Sequence, residues 1–199
     1  MEAFEAFVAL ALEEDGFTVS SSVKFLVRRR TRKAAYEEIQ EHGYEVDLVA
    51  SRSDQLVLAT VKSAFGSRGV VADDVLGETT DRRRLGRHRL LNDPVIRNGV
   101  VTAAASRYGY RQSQVQLRFY VGRFAGRGDG QHERRIRNWA EKQRVGAGAI
   151  EVIGLDEVVK KVRLAAQRKQ YRDNPTLVAV KVLEEARQLK PLEAADPAG

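Results

Sequence analysis

The stretch "YEVDLVASRSDQLVLATVKSAFGS", residues 44 to 67, constrains the fold more than any other part of the chain. Two apolar runs rich in Val and Leu flank the polar "RSDQ", the pattern of two antiparallel strands joined by a tight turn. Strand side chains alternate faces with a period of two. On that period Glu45 and Asp47 share a face of the first strand, and Thr60 and Lys62 share a face of the second. The turn then brings Asp47 beside Thr60 and Lys62. An acid and a lysine among buried strand residues are costly unless they are paired or used. If paired, Asp47 and Lys62 form a half-buried ion pair, or Lys62 extends its ammonium from the strand end to solvent. If used, Asp47 holds a hard divalent cation, the cation acidifies a water, and Lys62 orients or deprotonates that water. The second arrangement suits hydrolysis of a phosphodiester.

The elements around this hairpin follow from the same patterning. Phe4, Phe7, Val8, Ala11 and Leu12 recur at helical spacing, so residues 2 to 15 are expected to be a helix that Gly16 ends. "FTVSSSVKFLV", 17 to 27, reads as a strand. "RRRTRKAAYEEIQEHG" either lengthens the hairpin or adds a short helix. Residues 65 to 94 read as a loop with a short helix near 80 to 91, closed by Asp93-Pro94. A helix, a strand at 114 to 124, a helix bearing Ile136, Trp139 and Ala140 inward, a strand at 149 to 154 and a further helix follow. Asn174-Pro175 opens a last helix. The expected class is α/β: three strands in an antiparallel meander, then strands alternating with helices in crossover pairing, a mixed central sheet flanked by helices. Residues 1–165 are expected to form the main domain, 166–190 a C-terminal helical extension and 191–199 a tail.

Composition narrows the function classes. The 199 residues carry a net charge of +7 and a pI near 9.8, with arginine dominating, which favours a polyanion partner such as DNA. There is no cysteine, so disulfides, thiolate zinc sites and a cysteine nucleophile are excluded. No apolar run reaches the ~20 residues that span a bilayer. The acidic, amphipathic start is unlike a secretory leader. A cytoplasmic protein without membrane association is the expectation.

The hairpin motif resembles that of the PD-(D/E)XK nuclease superfamily, whose restriction-endonuclease-like core runs α-β-β-β-α-β. That motif is an acid on the second core strand, then (Asp/Glu)-X-Lys on the third. Here Asp47 matches the acid, and Thr60-Val61-Lys62 occupies the (Asp/Glu)-X-Lys position. Glu5 stands ahead of Gly16-Phe17 at the spacing of a first-helix glutamate in the Mrr-like and Holliday-junction-resolvase-like branches. The resemblance covers residues 2 to 160. It implies a Mg2+- or Mn2+-dependent DNA endonuclease, with Asp47, Glu5 and the Val61 carbonyl as metal ligands and Lys62 orienting water. Many members pair two sites in a homodimer. The departure is Thr60, since a neutral hydroxyl is a poorer Mg2+ ligand than a carboxylate. Either the remaining ligands suffice, or the missing acid comes from Glu5, Glu45, Asp73, Asp74 or Glu78. The third alternative is that catalysis is lost and the fold only binds DNA. Glu5 also reads as an ordinary first-turn acid, and Glu45 as a solvated one.

Two basic clusters are candidates for the DNA backbone: Arg28, Arg29 and Arg30, and Arg82, Arg83, Arg84, Arg87 and Arg89. Gly86 within the second suggests a mobile loop. His42, His88 and His132 show no metal-ligand spacing and read as surface residues. "GRFAGRGDGQ" lacks the ending of a phosphate-binding P-loop and reads as a connection.

Overall fold

A computed structural model describes residues 2–30, 39–126, 130–168 and 173–189. Helix α1 (Ala3–Glu14) leads into strands β1 (Thr18–Arg30), β2 (Ile39–Arg52) and β3 (Gln55–Lys62). Three short helices follow, α2 (Ala72–Leu76), α3 (Arg82–Gly86) and α4 (Arg89–Asn92). The chain continues through α5 (Pro94–Tyr108), β4 (Val115–Val121), α6 (Gln131–Lys142), β5 (Glu151–Gly154), α7 (Leu155–Ala166) and α8 (Pro175–Glu185). The five-stranded sheet runs in chain order, with β1, β2 and β3 antiparallel and β3, β4 and β5 parallel. This is the expected α/β mixed sheet, with a meander followed by helical crossovers.

Local chemistry sets the element ends. The amides of Gly16 and Phe17 return to the carbonyls of Glu13 and Leu12, closing α1, and Phe17 and Leu12 are both buried there. Asp93 caps α5 through the amides of Val95 and Ile96, with Pro94 in the first turn. Asn174 caps α8 in the same manner. Among the described residues, no helix is long and apolar enough to cross a membrane.

Helices cover both faces of the sheet. On one face Leu56, Leu58, Leu117 and Phe119 pack with Val75, Ile96, Val100 and Ile136 from α2, α5 and α6. On the other, Val57, Ala59 and Tyr120 meet Val8, Leu12, Val158 and Val162 of α1 and α7, joined by Leu177 and Val180 of α8. Thus α8 is packed into the same core as α1, and its Glu184 pairs with Arg163 at 2.6 Å.

The β1–β2 hairpin departs from simple alternation. In β2, Leu48 and Ala50 face the α1 side, but Val46 belongs to the α5 side. In β1, Val19 packs on the α1 side, whereas Val23, Phe25 and Val27 pack on the α5 side. Residues an even number apart should share a face. Both strands therefore reverse faces together, between Ser21↔Leu48 and Val23↔Val46. The register on either side is unchanged, so no residue is inserted. The reversal falls at Ser22, whose φ of +54° lies in the left-handed region, and at its opposite number Asp47. Beyond it the outer hairpin turns its apolar face onto α5. Gly99 allows this approach, because a Cβ there would meet Val27 Cγ1 at 2.4 Å.

The outer hairpin is longer than its apolar residues predict, since β1 continues to Arg30 and β2 already begins at Ile39. The segment between them, including Thr31, Arg32 and Lys33, lies outside the described residues, as does the expected tail at 191–199.

Ser22 is exposed, so its substitutions read backbone strain alone. Ser22→Gly is expected to hold or raise stability by up to about 1 kcal/mol, and Ser22→Val to lower it by about 1–2 kcal/mol. Urea unfolding of the purified variants measures both.

Candidate active site at the β2–β3 divergence

Strands β2 and β3 pair only from Leu48↔Ala59 to Arg52↔Gln55. Past that point β2 follows β1 away from the sheet, and Thr60, Val61 and Lys62 have no ladder partner on that side. Asp47 fills the gap. Its Oδ2 accepts the Val61 amide at 2.6 Å and the Thr60 hydroxyl at 3.1 Å. Val61 and Thr60 are buried and Asp47 is half-buried. A buried amide without an acceptor costs about 1–3 kcal/mol. The carboxylate removes that cost and, being charged, makes the stronger bond.

The sequence therefore places Asp47 correctly against Thr60 and Val61, but its resting contacts are hydrogen bonds. Among the described residues Asp47 and Lys62 form no ion pair. Lys62 instead opens into a cleft of about 650 Å³ together with Arg68, Arg83, Arg84 and Arg87, while Glu2, Asp74 and Asp81 supply its acids. The chain leaves β3 through Ser63 and Ala64, whose φ of +53° is unusual for alanine, and returns over the cleft. Ser63 donates to Glu2 Oε2 at 3.2 Å. Gly69 is held against the Phe124 carbonyl, which a Cβ would meet at 2.5 Å.

The other acids have other work. Glu5 accepts the Glu2 amide at 3.1 Å and so closes the first turn of α1. Glu45 faces Lys24 at 3.9 Å on the exposed outer hairpin. Asp73 and Glu78 both bind Arg135, at 2.8 and 2.6 Å. Asp74 lies between Arg68 and Arg84, at 3.8 and 4.0 Å. Among the described residues no group of three or more His, Asp or Glu side chains is arranged to hold a metal. A hard cation needs several oxygen ligands and compensating negative charge. Asp47, with one oxygen already shared by two donors, the neutral Thr60 hydroxyl and the Val61 carbonyl do not by themselves fit Mg2+ or Mn2+.

The arginine clusters divide. Arg83, Arg84 and Arg87 line the Lys62 cleft, whereas Arg82 and Arg89 line a separate groove with Asn92 and Asp93. Gly86 does not make a mobile loop: the segment is α3, capped by Asp81 through the amides of Arg83 and Arg84. Arg28 is exposed on β1, six residues and about 20 Å beyond the reversal at Ser22. Glu41 binds it at 2.7 Å, and that hydrogen bond raises its already high pKa. The side chains of Arg29 and Arg30 lie outside the described residues.

His42 is exposed as expected, but His88 and His132 correct the sequence reading. His88 is only 8% exposed and stacks edge-on against Phe119. Its Nδ1 is buried without a hydrogen-bond partner among the described residues. Burial, then the charges of Lys62 and Arg87, depress its pKa to about 4. It is a neutral imidazole in the wall between the Lys62 cleft and a smaller cavity lined by Glu45 and Thr60. His132 accepts the Ala72 amide through Nδ1 at 3.2 Å and anchors the start of α2. Neither role has a signal in the spacing of the histidines. Glu2 and Arg68 were equally unmarked, and only the fold brings them to the cleft.

Two predictions follow from these contacts. Asp47→Ala strips the acceptor from a buried amide and should cost about 1–3 kcal/mol, while Thr60→Val, which leaves that amide bonded, should cost less. Chemical denaturation at neutral pH gives both values. His88 titrates near 6.5 when unfolded and near 4 when folded. Below pH 6.5 the unfolded chain therefore binds the proton first, so stability is full above 6.5 and falls towards pH 4. Between pH 7 and pH 4.5 this group should remove about 2–3 kcal/mol, a loss absent from His88→Gln.

No protein-family model matches the chain, and no curated protein matches it. Among solved structures, a crystal structure described as protein of unknown function AF1548 matches with a TM-score of 0.38 and 16% identity, over 96% of this chain and 71% of that one. At that score the likeness bears on neither fold nor function.

Proposed function

We propose that this protein is a DNA-binding protein on a restriction-endonuclease-like core, and that it grips the phosphate backbone in the Lys62 cleft. One observation carries this reading: Lys62, Arg83 and Arg87 line a common cleft and none of them makes an ion pair among the described residues. Arginine and lysine charges left unpaired in a concave surface suit a polyanion, and guanidinium groups match phosphate oxygens two at a time. The net charge of +7 draws the same partner from a distance. No base-reading arrangement accompanies these groups, so recognition is by backbone charge and shape. The order α-β-β-β-α-β, with short added helices after β3, supports the choice of that core.

Metal-dependent endonuclease activity is the second reading. The acid-to-lysine juxtaposition favours it: Asp47 binds Thr60 and Val61, the residues directly before Lys62. It requires a carboxylate in addition to Asp47, since Thr60 stands where the resemblance places one.

The test is DNA binding followed over salt, with cleavage assayed in parallel. Wild type should bind a short duplex with an affinity that falls steeply as salt rises. Lys62→Ala and Arg87→Ala should each lower the slope of log K against log salt by about 0.9. Asp47→Asn should leave binding intact. Nicking of plasmid or branched DNA in Mg2+ or Mn2+, lost in both Asp47→Asn and Lys62→Ala, would establish the endonuclease. A wild-type protein that shows no salt-dependent binding to DNA overturns both readings.

A further inference from the structure

The cleft contains one acid whose position is unusual for a phosphate-binding surface. Asp74 is only 9% exposed, and its Oδ1 is buried with no hydrogen bond from any described residue. Two guanidinium groups straddle its carboxylate. Arg68 Nη2 stands 3.8 Å from Oδ2, and Arg84 Nη1 stands 4.0 Å from Oδ1. Both separations are too long for hydrogen bonds. Asp74 therefore holds two positive charges near one another without using up their N–H donors.

A carboxylate buried in this way is costly unless nearby charge compensates it. Conversely, two guanidinium groups brought together repel, and an acid between them offsets that repulsion. The surrounding frame is fixed. Asn92 donates to the carbonyls of Asp74 and Leu85, tying α2 to α3, both at 3.1 Å. Asp81 caps α3 and holds Arg84 Nε at 3.3 Å. Arg68 precedes Gly69, whose backbone is pressed against the Phe124 carbonyl. The arginine side chains themselves remain open to solvent, 56% exposed for Arg68 and 42% for Arg84.

We propose that Asp74 is a positioning residue that holds Arg68 and Arg84 as a two-pronged cradle for one phosphodiester of the DNA backbone. The inference rests on the DNA-binding reading of the cleft. It goes beyond that reading by assigning a buried acid a favourable role in binding a polyanion. The guanidinium forks supply paired N–H donors, and Asp74 pre-orders them, so less side-chain freedom is lost on binding.

The sign of one substitution separates this role from simple charge. Asp74→Asn removes one negative charge from the cleft at nearly constant shape. Charge attraction alone makes it bind DNA more tightly. The cradle makes it bind more weakly, by about tenfold near physiological salt. The measurement is the affinity of the full chain for a short DNA duplex between about 50 and 200 mM salt, with thermal unfolding recorded for each variant. Arg68→Lys is the companion variant, exposed and safe for folding: it keeps the charge and removes the fork. The expected result is weaker binding by Asp74→Asn and Arg68→Lys, recovery in Asp74→Glu, and a smaller loss when Asp74→Asn is added to Arg68→Ala, where Asp74 has only Arg84 left to position. Equal or tighter binding by Asp74→Asn, or full affinity in Arg68→Lys, overturns the cradle while leaving the DNA-binding cleft in place. Absence of binding by wild type removes the cleft reading itself.

Discussion

The hydrogen bond from the Val61 amide to Asp47 is the contact on which the site depends. Strand β3 lies at the centre of the sheet, and all but its end residues are buried. Its edge towards β2 loses a backbone partner beyond Leu48↔Ala59, because β2 turns away with β1. An unsatisfied amide there would oppose the turn. Asp47 resolves the conflict by offering a side-chain oxygen where the neighbouring carbonyl is missing. The outer hairpin is then free to pack on α5, and the mouth of the sheet opens between Thr60 and the helices that follow.

What occupies that opening is a consequence of the short helices between β3 and α5. They bring α3 and His88 over the C-terminal ends of β3 and β4, with Phe119 beneath the imidazole. Lys62 emerges from the strand into a space already populated by arginines of α3 and of the loop before α2. The imidazole stays neutral there, since burial and two adjacent cations both disfavour its charged form. Positive charge is thus concentrated on partly exposed lysine and arginine groups, with the neutral imidazole and Asp74 buried in the wall beside them.

Much of this arrangement was legible in the sequence for identifiable reasons. The polar "RSDQ" between two apolar runs sets the β2–β3 register, and that register alone brings Asp47 to Thr60 and Val61. The crossover order follows from apolar strands alternating with amphipathic helices. The face reversal was not legible, because it depends on one backbone angle at Ser22, in a run of serines with no distinguishing composition. For the same reason the simple alternation that pairs Glu45 with Asp47 fails: Asp47 stands at the reversal itself and Glu45 lies beyond it. His88 was hidden because α3 and α4 are too short to show a helical period, so the short helix expected near 80 to 91 offered no apolar face on which to place it. Glu5 had the spacing of a ligand, yet its nearest demand is the free amide at the start of its own helix.

Amide hydrogen exchange at Val61 tests the structural role of Asp47 most directly. In wild type this amide should be protected to nearly the same degree as the ladder amides of β3. In Asp47→Ala, under conditions where the fold persists, its protection should fall by about ten- to a hundredfold, in line with a lost bond of about 1.5–3 kcal/mol to a charged acceptor. Amides at Leu56 and Leu58 should change little beyond the global loss of stability. Unaltered protection of Val61 in Asp47→Ala would contradict the claim that this carboxylate replaces the missing strand partner.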